Sequence, residues 1–260
     1  MSLEIIRDEK TWCEALENFR NHDPCHRYSF HKAYEYHIKA KDLLMIKIQQ
    51  GHKFILYPML IFGIPEQSQG KSYFYSTSTY GFTGILNNVS SDFLRISFKD
   101  IDNWMLENNI IAEFIRFSPF TFNPENLLEN LGYKLTMNRK LSIWDTSLIK
   151  NPEDEIHYSC NMSRRSKKLG AEFRELEINE FSKFKDLYEK TMIINNAKKF
   201  FNYSDHYFKI LLNEKELNSN HVFGAFKDNQ LISAAWFISN HEIAYYHLGC
   251  STRSIAGSSD

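Results

Sequence analysis

The order of the predicted elements restricts the fold of this chain more than any other feature. Hydrophobic periodicity and turn residues predict two helices followed by three consecutive strands in each half of the 260-residue sequence. In the first half, a helix, a strand, a helix and a strand then follow over residues 90–145, and the second half has no counterpart to them. We therefore predict an α/β protein of two domains, residues 1–147 and 148–260, and expect the C-terminal part of the second domain to be missing.

The element boundaries are predicted from caps and turns: Ser90 as a helix N-cap, Gly51 in a hairpin and Gly170 as a helix stop. The first domain is predicted to contain helices over Lys10–Phe19, Phe30–Lys41 and Ser90–Asn108, strands over Leu43–Gln49, Phe54–Phe62, Ser72–Ser78, Ile110–Phe117 and Tyr133–Trp144, and a short helix from Pro124 that Gly132 stops. The second is predicted to contain helices over Ser159–Leu169, Glu180–Asn195 and Ser204–Leu217, and strands over Glu172–Ile178, His221–Phe226, Leu231–Ser239 and Glu242–Leu248.

The glycine content and the charge balance argue against several functional classes. The chain has only 10 glycines, and neither the G-x-G-x-x-G nor the G-x-x-x-x-G-K-[ST] pattern of nucleotide sites occurs. Lysine and arginine together number 31 and aspartate and glutamate 32, a net charge of −1. A neutral chain has no global field that attracts nucleic acid or an anionic membrane, so any recognition of phosphate must be local.

Cysteine usage and hydropathy indicate the compartment. The four cysteines share no C-x-x-C spacing, which is typical of reduced thiols in a cytosolic protein. The N-terminus is charged within four residues and lacks the apolar core of a signal peptide. The longest uncharged apolar stretch, Phe54–Pro65, has 12 residues, whereas a membrane helix needs about 20. We predict a cytoplasmic protein without membrane insertion.

The spacing of the residues supports neither a metal site nor a nucleophilic catalytic triad. Histidines and a cysteine are frequent near the N-terminus, but their spacing matches no common zinc pattern. These residues are His22, Cys25, His26, His31 and His37. A G-x-S-x-G nucleophile motif is also absent from the sequence. We predict no metal site and assign no catalytic residue.

Four segments of the chain together resemble a known family. They are Tyr80–Leu86 after a serine-rich strand, the basic helix Asn161–Gly170, the stretch from Leu187–Met192 through Asn196-Ala197 and Phe200-Phe201 to Tyr207-Phe208, and the strand Ala244–Ser251. In order and spacing they are similar to the Fem-like branch of the GNAT acyltransferase superfamily, from about Cys25 onward. That branch includes peptidoglycan aminoacyltransferases and many other bacterial proteins.

The resemblance implies a fold and a reaction. The fold is α/β with two GNAT-like domains, whose mixed, mostly antiparallel sheets are flanked by helices. The reaction is transfer of an acyl or aminoacyl group to the amine of a small molecule or peptide. The donor substrate is aminoacyl-tRNA, with tRNA then a partner, or acyl-CoA. No tightly bound cofactor is implied.

The sequence departs from this family in two places. Tyr203 stands four residues before Tyr207, where cell-wall members tend to carry arginine, which argues against a peptidoglycan precursor as acceptor. Family members also continue beyond the strand that here ends at Ser251. We therefore expect an incomplete donor site and uncovered apolar sheet surface in the second domain, which a homodimer would cover.

Three groups of aromatic residues are candidate substrate contacts. Tyr80 and Gly81 belong to a two-glycine turn, at the mouth of a cleft or at an ordinary strand end. Tyr203 and Tyr207 are i, i+4 neighbours that should stack on one helix face, towards substrate or within an aromatic core. A substrate groove lined by these three tyrosines requires exposed hydroxyls on at least two of them.

The third group lies on the last predicted strand. Tyr246 and His247 alternate between the two faces of that strand, so one of them lines a cleft while the other packs. His247 titrates near neutrality when unperturbed, as a general base must, but a lone histidine on a strand is also readily explained by packing.

Basic residues are concentrated in one predicted helix. Arg164, Arg165, Lys167 and Lys168 place four cations in five residues. Arg164, Arg165 and Lys168 are the candidate phosphate-binding residues, for a tRNA acceptor end, coenzyme A or a nucleotide-sugar lipid. The other interpretation is a solvated helix whose cations interact with its C-terminal dipole.

These observations lead to one functional prediction and one alternative. We predict an N-acyl- or aminoacyltransferase of the Fem-like type. The alternative is an inactive fragment or a non-enzymatic binding protein that retains the GNAT-like scaffold.

Overall fold

The chain folds into two compact units, seen in a computed structural model. The first comprises Met1–Asn138, Tyr203–Leu217 and Asn240–Ile243, and the second comprises Arg139–Asn202, Asn218–Ser239 and Ala244–Asp260. The structure describes residues 1–19, 22–65, 70–120, 131–137, 140–148, 164–212 and 219–252.

A mixed sheet forms the centre of the first unit. Its strands are β1 (Ser2–Ile6), β2 (Asp42–Gln50), β3 (Lys53–Gly63), β4 (Phe74–Thr77), β5 (Leu86–Asn87) and β6 (Ile110–Phe114). Its helices are α1 (Glu9–Leu16), α2 (Tyr28–Ile38) and α3 (Ser91–Glu107), with a 3-10 turn at Pro24–His26. The strand order is β1-β2-β3-β4-β6, and β5 pairs with β3. The β4–β6 pair is parallel, and the other pairs are antiparallel.

The β2–β3 hairpin provides much of the core of this unit. Gln50 pairs with Lys53, so Gly51 and His52 form a two-residue loop, in which Gly51 has a φ of 60°. Apolar residues of both strands are buried against α3, through Phe98 and Ile101. The N-cap of α3 is Ser90, as predicted, and its hydroxyl accepts from the Phe93 N–H.

A helix from late in the sequence completes the first unit. Helix α5 (Asp205–Leu211) is capped by Ser204 and packs on α2. The Tyr207 ring lies edge-on to Tyr34, with 5.5 Å between ring centroids, and His206 lies over Tyr36 at 4.1 Å. The helix predicted over Ser204–Leu217 is therefore confirmed from its cap to Leu211, and residues 213–218 lie outside the described part.

The second unit is an antiparallel sheet with a helix on one face. Its strands β7 (Glu172–Glu175), β8 (Asn220–Lys227), β9 (Gln230–Ser239) and β10 (Ala244–Ser251) are ordered β10-β9-β8-β7. Asp228 and Asn229 both have positive φ in the β8–β9 turn, as a type I′ turn requires. Helix α4 (Phe181–Ile194) packs on β9 and β10. Its inward side chains include Phe184, which meets the buried Trp236 of β9.

One strand prediction was wrong, and one strand was not predicted. The segment predicted as a strand over Tyr133–Trp144 contains none in its described residues, 133–137 and 140–144. Its apolar side chains, such as Met137 and Trp144, are exposed, because no sheet face or strand in the described part of the chain receives them. Strand β1 was not predicted, because it has only five residues and buries only Ile6 fully, which is a weak pattern in the sequence. Pairing with β2 stabilises it as a strand. The helix predicted from Pro124 falls mostly in residues 121–130, outside the described part.

The face of the second sheet that is opposite α4 carries exposed aromatic side chains. Phe173, Phe223 and Tyr246 are exposed on three strands, and the Phe237 ring lies 6.0 Å from Phe223 and 5.7 Å from Tyr246. We call this surface the aromatic face. That it is uncovered because part of the second domain is missing stays a prediction. The homodimer that would cover it stays a prediction.

Candidate functional site

Residues that follow strands β4 and β6 meet at the carboxyl ends of these two strands, which we call the edge of the first sheet. Strands β4 and β6 run parallel, so their carboxyl ends lie side by side. The Ser78 N–H donates to the Phe114 carbonyl (3.1 Å), and the Arg116 N–H donates to Ser78 Oγ (2.9 Å). The Tyr80–Gly84 turn and the Arg116–Ser118 segment are thereby held next to each other.

The two glycines of the turn allow this close approach. A Cβ on Gly81 would lie 3.1 Å from both Cys25 Sγ and the Phe30 ring. Gly84 has a φ of +61°, and a Cβ there would lie 3.2 Å from the Phe117 Cα. Both glycines therefore lie in tightly packed surroundings, and Gly84 also has a backbone conformation that favours glycine. The binding role predicted for Gly81 stays a prediction.

Arg116 is a half-buried cation at this edge. Its Nη1 donates to the Ser78 carbonyl (3.2 Å) and to Thr77 Oγ1 (3.4 Å), and its guanidinium lies 4.6 Å from the centre of the Phe114 ring. Burial lowers the pKa of Arg116, while the Tyr80 and Tyr34 phenols oppose that change. Among the described residues, no carboxylate forms an ion pair with it.

Tyr34 of α2 acts electrostatically on Arg116, and Tyr203, which precedes the Ser204 cap of α5, and Tyr207 of α5 lie against Tyr34. The hydroxyls of Tyr34 and Tyr203 lie 3.3 Å apart, and the rings of Tyr203 and Tyr207 stack at 4.1 Å. The stacking was expected, but Tyr203 lies before the Ser204 cap and not on the helix face. The His37 ring lies 4.5 Å from that of Tyr203. Burial raises the pKa of Tyr203 to about 12 and raises that of Tyr34 well above its usual value, so both hydroxyls keep their protons at neutral pH. We call Tyr34, Tyr203 and Tyr207 the tyrosine cluster.

The exposure expected of a tyrosine-lined groove is found at one of the three predicted positions. Tyr80 is 40% exposed, whereas Tyr203 is 5% and Tyr207 0% exposed. Tyr203 and Tyr207 are inside because α5 packs its aromatic side against α2. The expectation of two exposed tyrosines was therefore wrong, and the contact of these residues with substrate stays a prediction.

A buried polar cluster around Asp23 joins the Pro24–His26 turn to the Ser118 segment. Asp23 accepts from the Cys25 N–H (2.8 Å) through Oδ1 and from Ser118 Oγ (2.9 Å) through Oδ2. His26 and His31 are fully buried beside it. Burial lowers the pKa of His26 to about 3 and that of His31 well below its usual value, so both imidazoles are neutral at pH 7. Within the described ranges, no group of three or more histidine, cysteine or acidic side chains is placed to hold a metal ion.

A bulge in β10 sets the directions of Tyr246 and His247. The pairing with β9 shifts between Tyr246 and Leu248, which places His247 edge-on to Trp236, 5.2 Å between ring centroids. Tyr246 points the other way and lies against Gly249 on the aromatic face. Burial lowers the pKa of His247 to about 3, which favours the packing interpretation over a general base at neutral pH.

The basic helix is an exposed feature of the second unit. Residues 164–168 are helical, and Arg164, Arg165 and Lys168 are exposed. The helix ends at Gly170, as predicted, with a φ of +84° and a bond from the Ala171 N–H to the Ser166 carbonyl (3.0 Å). Phosphate binding by these residues stays a prediction.

Comparison with solved structures identifies the fold. The chain superposes on the crystal structure of FemX with a TM-score of 0.66 and 12% identity, covering 98% of this chain and 81% of that one. The chain has a Fem-like fold of the GNAT type. No helix among the described residues is long and apolar enough to cross a membrane.

Two further structures share this fold. A conserved protein of unknown function from Bacteroides thetaiotaomicron VPI-5482 matches with a TM-score of 0.57 and 12% identity, over 99% of this chain and 83% of that one. The C-terminal domain (DUF2156) of a protein named as a lysylphosphatidylglycerol synthetase from Agrobacterium fabrum matches with a TM-score of 0.53 and 13% identity, over 93% and 69%. No protein-family model and no curated protein matches the sequence.

The Fem-like fold thus places Tyr80, Gly81, Tyr203 and Tyr207 in the first unit. Tyr246, His247 and the basic helix belong to the second. Sequence reasoning missed Tyr34, His37 and Arg116. Arg116 carried a usable signal, since a cation directly after an apolar strand stands at a strand's carboxyl end, where ligands often bind in α/β folds.

Proposed function

We propose that the chain is an acyl- or aminoacyltransferase, which moves an acyl group from aminoacyl-tRNA or acyl-CoA to an amine acceptor. The observation that carries the proposal is the Fem-like fold, matched over 98% of the chain. The sequence resemblance to a branch with aminoacyltransferase members supports it independently. A second neighbour supports it by name, because lysylphosphatidylglycerol synthetase describes attachment of a lysyl group to a lipid.

The chemistry of this reaction suits a site without a strong catalytic motif. An unprotonated amine attacks the activated carbonyl, the leaving group departs from the tetrahedral intermediate, and the amine loses its proton. Positioning of the two reactants and donors for the developing oxyanion supply most of the rate. We assign no residue as the oxyanion donor and none as the base.

Acyl transfer by the purified chain tests this proposal. We expect an amide product when the chain is incubated with radiolabelled aminoacyl-tRNA or acyl-CoA and a panel of amines and amino-terminal peptides. Omitting the chain or boiling it is the control for spontaneous transfer. A folded chain that gives no product with either donor class would contradict the proposal and favour the alternative, a binding protein with this scaffold.

Charge reversal in the basic helix tests donor binding. With Arg164→Glu and Arg165→Glu together, we expect the affinity for the anionic donor to fall at least about tenfold at low salt, because local cations attract phosphates. The matched control is Lys190→Glu with Lys227→Glu, the same charge change at exposed positions of the same unit. Equal titration curves for both double variants, with both donors, would show that the helix is only solvated.

Location and assembly belong to the same proposal. Both candidate donors occur in the cytoplasm, which agrees with the predicted location. A second copy of the chain, if it binds, would cover the aromatic face around Phe223 and Tyr246. Both statements remain predictions.

A further inference from the structure

Arg116 carries a positive charge that the described protein does not neutralise. A guanidinium has five N–H donors, and partial burial makes unpaired charge costly. Within the described ranges, only Nη1 has protein acceptors, the Ser78 carbonyl and Thr77 Oγ1, and both are neutral. For the N–H groups of Nε and Nη2, no protein acceptor is present among the residues that the structure describes.

The surroundings of Arg116 are hydroxyl groups rather than carboxylates. The phenols that act electrostatically on it are those of Tyr80 and Tyr34, and Tyr80 also acts on Tyr203. Tyr34 and Tyr203 are within 3.3 Å of each other through their hydroxyls. Tyr80 is exposed, so a ligand reaches this group from solvent.

We propose that Arg116, with the hydroxyl of Tyr80 and the tyrosine cluster behind it, binds a singly charged oxyanion, the carboxylate or phosphodiester group of a ligand. The planar guanidinium fork with unused donors fits two oxygens of such a group. The ligand group should carry one negative charge, which balances the single positive charge of Arg116. No lysine or second arginine among the described residues acts on Arg116. The proposal does not depend on acyl transfer.

Titration with small anions tests the site on the full chain. The probes are acetylglycylglycine for the carboxylate and diethyl phosphate for the phosphodiester, at low salt, with acetylglycylglycine amide as the neutral match. We expect saturable binding of at least one anion and none of the amide, followed by calorimetry or by NMR shifts. Binding of one anion alone supports the site and identifies the source.

Variants separate the site from general charge effects. Arg116→Gln should weaken anion binding at least about tenfold, because it removes the charge-assisted hydrogen bonds. Tyr80→Phe, at an exposed position, should weaken it about threefold, the loss of one neutral hydroxyl donor. Arg95→Gln removes an exposed arginine of α3 in the same unit and should change nothing.

Three results would overturn the proposal. They are no saturable binding of either anion to the original chain, equal binding of the neutral amide, and an unchanged affinity in Arg116→Gln. If Arg116→Gln does not fold, Arg116→Lys and Tyr80→Phe decide: both must weaken binding, since lysine keeps the charge but loses the fork. Loss of acyl transfer with anion binding intact would contradict the proposed function and not this site.

Discussion

Lowering the pH from 7 to 4 should destabilise the first unit by several kcal/mol. His26 and His31 are buried as neutral imidazoles, and His26 Nε2 and both His31 ring nitrogens have no hydrogen-bond partner among the described residues. A proton added to either ring would bring an unpaired charge into the interior. The imidazole of His22 acts on His26, and that of His26 acts on His31. The backbone groups of Asp23 and Thr83 act on His26, and that of Cys25 acts on His31.

The direction follows from proton binding in the two states. Unfolded histidine binds its proton near pH 6.5, whereas folded His26 does so only near pH 3. The stability that His26 contributes is therefore complete above about pH 6.5 and is lost as the pH falls towards 3. At pH 4 its loss is about 3 kcal/mol, and His31 adds to it in the same direction. Burial raises the pKa of Glu113, which acts oppositely: its contribution is lost as the pH rises above 4.5.

Chemical denaturation at pH 7 and pH 4 measures the effect. His26→Gln is the matched variant, because its amide is similar in size and does not titrate. Between the two pH values, we expect the variant to lose about 3 kcal/mol less of its free energy of unfolding than the original chain. Parallel stability curves for the two proteins would show that His26 does not set the acid sensitivity.

Trp236→Ala should cost the second unit about 3–5 kcal/mol of stability. Trp236 is fully buried and packs against Phe181, Phe184 and His247. Its indole N–H also donates to Asn220 Oδ1 (3.0 Å), so truncation leaves both a cavity and an amide oxygen without its donor. Thermal and denaturant unfolding measure the loss.

A second measurement separates this cavity from a general loss of folding. With Trp236 removed, water reaches His247, and its pKa should rise from about 3 towards 6.5, which NMR titration detects. Trp236→Phe keeps most of the packing and should cost only about 1–2 kcal/mol. A pKa of His247 that stays near 3 in Trp236→Ala would mean that other groups bury it.

The local elements were predictable because their signals are local. The Ser90 cap of α3, the Gly51 hairpin and the Gly170 helix stop each depend on one residue whose conformation or side chain sets the boundary. The fold followed from the order of these elements and from four segments that resemble Fem-like proteins. The match to FemX confirms the fold although only 12% of the residues are identical. The order of the elements therefore carried more information about the fold than residue identity.

The candidate site was harder to predict because it depends on contacts between distant residues. Tyr34 meets Tyr203 across 169 positions, and nothing in either local sequence indicates the pair. Residues 133–144 show the opposite error, a strand predicted where the described residues form none. Their apolar pattern suits a strand, but a strand also needs a partner strand with unpaired backbone groups. The β10 bulge likewise placed His247 against Trp236, which alternation alone does not specify.

The late arrival of α5 in the first unit has a consequence for synthesis on the ribosome. Helix α2 is made early, but Tyr203 follows residue 138 by 65 positions. At roughly 5–20 residues per second, the nascent chain waits roughly 3–13 s between these points. Throughout that interval Tyr34 and His37 of α2 lack the aromatic rings of Tyr203 and Tyr207 that pack on them in the folded unit. This unit therefore matures after much of its neighbour has been translated, and the nascent chain offers chaperones an aromatic helix face until then.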